Sequence, residues 1–145
     1  MFGFIIALVS GVLMSIQGVF NTEVTKQSST WTTSTFVQAT GFLACLIVWF
    51  VTEREQSFTM LLKVSPKYLL LGGIIGAAIT FTVIKSVASL GPAQSAMLIV
   101  ASQSVVSYLI EVFGLFGVEK TGFAWIKLLG VVLFVAGLLI FKWKS

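Results

Sequence analysis

PAQSAMLIVASQSVVSYLIEVFGLFG, residues 92–117, decides how the chain is read. The stretch is apolar and long enough to cross a bilayer, which takes about 20 mostly apolar residues. Yet Gln103 lies near its middle and Glu111 toward its end. At about 100° per residue, Ala96, Gln103, Ser104, Ser107 and Glu111 fall on one stripe of a helix. Hydrocarbon penalises such a stripe, so it is expected to face protein or a water-filled cavity.

Composition agrees with a membrane reading. Of 145 residues, 57% are hydrophobic and only 10% are charged, where a soluble domain carries about 25% charged residues. Mean hydropathy is +1.05. The net charge of +4 does not point to nucleic acid, because the basic residues are scattered at span ends and form no patch. The single cysteine, Cys45, rules out a disulfide framework. Histidine is absent, which removes histidine acid–base chemistry and the commonest transition-metal ligand. No Cys/His/carboxylate cluster has metal-ligand spacing, no nucleophile–base pair suggests an enzyme, and no pattern asks for a cofactor.

Five candidate spans follow: 2–20, 34–52, 67–88, 92–113 and 123–143. Their short joints predict one all-α domain over 1–145, with neighbouring helices antiparallel. The N-terminal run MFGFIIALVSGVLMSIQGVF lacks a basic start and a small-residue cleavage site, so it reads as a retained first span. Ser10, Gln17 and Asn21 share one face of that span, and a polar loop from Thr22 to Thr33 is expected after it. The second span puts Ser34, Gln38, Gly41 and Cys45 on one side. After it, Phe58, Met60, Leu61 and Leu62 suggest a short turn in the interface, and Ser65-Pro66 a helix start. In the third span, Gly72, Gly76 and Thr80 recur at four-residue steps, which allows close helix packing. Gly130 and Gly137 offer the same on the fifth. Trp31, Trp49, Tyr68, Trp125 and Trp143 lie at or near span ends, as an aromatic belt does.

An odd number of spans puts the termini on opposite sides. One side then holds Arg54, Lys63, Lys67, Lys120 and Lys127; the other holds Lys26, Lys85, Lys142 and Lys144. Five against four is almost no bias, although such bias is what orients helical membrane proteins. Two readings stay open. Either details beyond this count fix one orientation, or the chain inserts both ways and pairs with an inverted copy of itself. Transporters built from two inverted repeats, with substrate near the midplane, give the second reading a physical basis.

Several runs resemble one family. SIQGVFN (15–21), LGPAQSA (90–96), SQSVVSYLIEVFGLFG (102–117) and GVVLFVAGLLIF (130–141) resemble the half-length, five-helix YdcZ-like branch of the drug/metabolite transporter superfamily. The resemblance covers essentially the whole chain and rests on the order and spacing of these motifs. It implies a secondary transporter of the bacterial inner membrane that dimerises with itself or with a paralogous half. The family's fourth-span motif reads acid-His-Phe-Gly, whereas this chain has Glu111-Val112-Phe113-Gly114. The acid is kept and the histidine is not, so no role of that histidine carries over.

Candidate site residues can then be ranked. Gln103 lies close to the middle of its span and is a candidate substrate-binding amide. The alternative is an interhelical hydrogen bond, worth about 0.6–2 kcal/mol in membranes. Gln17 and Gln38 each lie about five or six residues from their span centres toward the same membrane face, about 8–9 Å at 1.5 Å per residue. They can line one site with Gln103, Ser104 and Ser107, or serve as packing glue. Glu111 is the only acid expected inside a span, about 12 Å beyond Gln103 along the helix, and is a candidate coupling group. Lys85 lies at the opposite membrane face from Glu111 within one chain. It would meet Glu111 only across an antiparallel dimer, or otherwise snorkel to headgroups.

The leading expectation is an antiparallel homodimeric secondary transporter for a small polar or cationic organic solute, possible proton coupling included. A heterodimer with a paralogous five-span subunit is the alternative. A channel or non-transporting scaffold is a third class, although too few rings of like polar residues appear to form a filter.

Overall fold

The computed structural model describes residues 1–53, 55 and 58–142. Arg54, counted above among the basic residues, and Trp143 and Lys144 lie outside the described residues. The described residues are all helix and connecting turn. In chain order the elements are α1 (Phe2–Lys26), α2 (Thr30–Thr52), the short α3 (Thr59–Leu62), a 3₁₀ helix (Lys67–Leu71), α4 (Gly72–Leu90), α5 (Pro92–Phe113), a 3₁₀ turn (Leu115–Gly117) and α6 (Trp125–Lys142). Four stretches are long and apolar enough to cross a membrane: Phe2–Lys26, Thr30–Thr52, Lys67–Leu90 and Pro92–Phe113. A further apolar helix, α6, has 18 residues. The chain is an all-α membrane protein of about five membrane helices. It divides into two compact units, Met1–Ser89 and Leu90–Ser145.

In the first unit the expected loop from Thr22 to Thr33 is mostly helix. α1 runs on to Lys26 and α2 begins at Thr30, leaving a joint of three residues. Polar composition signals the end of an apolar run, but it does not end this helix. Thr22 and Thr25 satisfy their hydroxyls on the carbonyls of Gly18 and Asn21, both at 2.8 Å. Glu23 and Lys26 pair at 2.6 Å across one turn. The joint is then closed by Ser28, which donates to the Val24 carbonyl at 2.9 Å. Ser29 caps α2 by accepting the Thr32 N–H at 3.1 Å.

What this unit buries is polar. Asn21, Thr22, Thr33 and Ser34 are buried, together with Ile84 of α4. Thr33, 1% exposed, is the hub. Its hydroxyl lies 2.9 Å from that of Thr25, whose one hydrogen it shares with the Asn21 carbonyl, and within hydrogen-bond distance of Ser28 at 3.0 Å. Most large apolar side chains of α1 and α2, from Phe2 to Val51, point outward. That inversion suits a protein whose surroundings are hydrocarbon, where association rests on close packing and hydrogen bonds between helices. The close approach is at Gly18. A Cβ there would meet Val83 Cγ1 at 3.4 Å and Val87 Cγ2 at 3.7 Å, so α4 packs directly against the α1 backbone.

In the second unit, α5 starts with Pro92 in its first turn, where a missing N–H costs nothing. It stops at Gly114, whose φ of 66° is left-handed and whose N–H returns to the Ile110 carbonyl. The Lys120 side chain lies 3.2 Å from where a Gly114 Cβ would sit, so conformation and space both require glycine. The chain then folds back, and α6 packs antiparallel on α5. Tyr108 ties the return: its hydroxyl accepts the Ala124 N–H at 2.9 Å and donates to the Ala124 carbonyl at 3.2 Å. Thr121 N–H donates to the Glu111 carbonyl at 2.9 Å.

Candidate functional site

The three glutamines lie near the middles of their helices. α5 has its midpoint between residues 102 and 103, at Gln103. α1, 25 residues long, is centred on residue 14, which leaves Gln17 three residues past centre. α2, 23 residues long, is centred on residue 41, which leaves Gln38 three residues before it. At 1.5 Å per residue each offset is about 4–5 Å. The extension of α1 and α2 into the polar segment therefore brings both glutamines nearer their helix midpoints than the apolar runs alone implied. Because α1 and α2 are antiparallel, both offsets point toward the joint they share.

Gln17 lines an open concavity of about 550 Å³ on α1, together with Ser10, Asn21 and the apolar Leu13, Met14 and Phe20. The stripe read from spacing is thus one face. Gln38 is not part of that concavity. Its amide lies against α4, with Nε2 3.6 Å from where a Gly76 Cβ would sit. A larger residue at position 76 would crowd the amide. The concavity that holds Gln17 is thus lined without Gln38.

On α5, Gln103, Ser104 and Ser107 are exposed. Ser104 donates to the Val100 carbonyl at 2.8 Å, so its hydrogen is already used within the helix. Glu111 has a partner that the sequence reading did not supply. Lys127, on the first turn of α6, reaches Glu111 Oε2 at 3.0 Å. The two side chains are 47% and 44% exposed. The Lys127 ammonium also stands 5.6 Å from the centre of the Tyr108 ring. The tight turn at Gly114 is what returns α6 beside Glu111. Nor is Glu111 the only acid in a membrane-length helix, since Glu23 sits in the last turn of α1 with Lys26.

Lys85 is exposed and lies over the Phe81 ring at 5.9 Å. Of the glycines expected to pack helices, Gly76 faces Gln38, whereas Gly72, Gly130 and Gly137 meet nothing within 4 Å. The packing glycine of the first unit is Gly18, which stands in the SIQGVFN motif but was not singled out. Among the described residues there is no group of His, Cys, Asp or Glu that could hold a metal ion.

Membrane-length helices with outward apolar faces and polar groups near mid-helix define a multi-pass membrane protein. Residues 2–140 match the model of the family described as "Putative inner membrane exporter, YdcZ", and the chain belongs to that YdcZ-like family of drug/metabolite transporters. No curated protein and no solved structure matches the chain.

Proposed function

We propose that the chain is one half of a secondary exporter, working as an antiparallel homodimer that moves a small polar or cationic organic solute by alternating access. The observation that carries this reading is the placement of Gln17, Gln38 and Gln103 near the middles of three membrane-length helices. In a helix that spans the bilayer, a residue near the helix middle lies in the inner part of the membrane. Inverted-repeat transporters bind substrate at that depth, between repeats. Exposed Gln103 and Ser107 need a polar counterpart there, and a solute held against an inverted second copy supplies one. Gly72, Gly130 and Gly137, open in the single chain, are available to pack against that copy.

The Glu111–Lys127 pair refines the coupling proposal. A carboxylate that takes up a proton releases Lys127, and one that loses it recaptures the lysine. The pair thus links protonation of Glu111 to one side-chain contact between α5 and α6.

The test is solute efflux from proteoliposomes with and without an imposed pH gradient. Glu111→Gln keeps a hydrogen-bonding side chain and removes the titrating proton. It should retain passive exchange of the solute and lose at least tenfold of the gradient-driven component. If the gradient drives the variant as well as the parent, Glu111 is not the coupling group.

A further inference from the structure

Lys85 has an aromatic neighbour and no acid. Among the described residues, ion pairs join Lys26 to Glu23 and Lys127 to Glu111, and Lys85 makes none. Its ammonium stands over Phe81, and the Phe81 ring stacks on Trp31 with centroids 4.6 Å apart and planes 27° from parallel. Trp31 is the second residue of α2 and is 66% exposed. Lys85 is five residues before the end of α4, about 7–8 Å along the axis. The stack therefore lies at the membrane end of both helices, at the depth where headgroups meet acyl chains. Glu23, the acid in the last turn of α1, is already taken by Lys26.

We propose that Lys85, Phe81 and Trp31 form a binding site for the phosphate of an anionic phospholipid. The ammonium supplies the charge. The indole N–H, at the edge of an exposed ring, supplies a second donor. The Trp31–Phe81 stack forms a flat wall for the upper acyl chain or glycerol, and the cation–π contact holds the ammonium beside that wall. Basic pockets between membrane helices take anionic headgroups on the same physical grounds. The site is independent of what the protein exports.

Native mass spectrometry of the purified protein in detergent, titrated with phosphatidylglycerol or with phosphatidylcholine, tests this. The parent should bind phosphatidylglycerol more tightly. Lys85→Gln should weaken it about fivefold, the equivalent of about 1 kcal/mol for one lysine at an anionic surface, and weaken phosphatidylcholine less, because its choline offsets the phosphate charge. Lys85→Arg should retain the preference. Trp31→Leu, with Lys85 intact, should weaken phosphatidylglycerol as well, and Glu111→Gln should not. Equal affinity of Lys85→Gln and the parent would overturn the proposal. So would displacement of the bound lipid by inorganic phosphate, or a gain of phosphatidylglycerol affinity in Glu111→Gln that Lys85→Gln abolishes, which would identify a partner carboxylate as the true counter-charge.

Discussion

Gln103→Leu is expected to lower solute export at least about fivefold while leaving the amount of folded, membrane-inserted protein unchanged. Gln103 is at the middle of α5, exposed from the chain, and carries an amide where hydrocarbon offers no partner. Such a group is costly unless something polar meets it. In the proposed dimer the solute is that partner. Leucine fills similar volume and takes away both the donor and the acceptor. Leaving a buried polar group of the solute unpaired costs about 1–3 kcal/mol, about fivefold to 150-fold in apparent affinity or rate. Ser104→Ala is the control from the same stripe. Its hydroxyl already donates to the Val100 carbonyl, so little is lost. Export assays on both variants, normalised to membrane protein, separate a binding amide from packing glue. A Gln103→Leu variant that exports like the parent would remove the amide from the solute path.

The largest structural effect is expected at Gly18. A methyl added there makes contacts of 3.4 and 3.7 Å with Val83 and Val87, tight but close to ordinary packing. Gly18→Ala should therefore lie within about 1 kcal/mol of the parent, helped by the better helix propensity of alanine. Gly18→Leu has no such room. Its branched end must push α4 from α1 or leave its preferred rotamer, and overpacking of that kind costs about 1–3 kcal/mol. Unfolding by sodium dodecyl sulfate, followed by far-ultraviolet circular dichroism, should show the leucine variant unfolding at clearly lower detergent fraction than the alanine variant. Equal midpoints would mean that α1 and α4 do not meet at this glycine.

Much of this architecture was legible in the amino-acid order. Apolar run length pointed to the four membrane-length helices and to the further apolar helix α6, because that length is set by the bilayer and not by tertiary packing. The α5 bounds, Pro92 to Phe113, follow from Gly91-Pro92 at one end and Gly114 at the other. The stretch from Thr22 to Lys26 was misread because hydropathy measures preference for lipid and not for helix. There, threonine hydroxyls bonded to their own backbone keep the helix going. The Glu111–Lys127 pair was also missed. Its partners are sixteen residues apart, on two helices, and meet only because Gly114 turns the chain tightly enough. Similarly, the two glutamines of α1 and α2 matched in depth by counting, but which neighbour each faces depends on helix rotation. Gln38 turns to Gly76 and Gln17 to the α1 concavity.

The distribution of charge bears on the dimer. Lys26 is paired with Glu23 on one side of the expected topology and Lys127 with Glu111 on the other. One basic residue is thus paired on each side, and the tally of five against four stays balanced. Orientation follows basic bias near span ends, and here that bias is almost nil. The central claim, that one chain supplies both inverted halves, is tested most directly by locating the termini. Single-site labels at the N-terminus and, separately, at the C-terminus would be probed with a membrane-impermeant reagent in intact and in opened inner-membrane vesicles. The account predicts that each terminus is found on both faces in comparable amounts. Every molecule carrying its N-terminus on one face and its C-terminus on the other, always in the same sense, would contradict it.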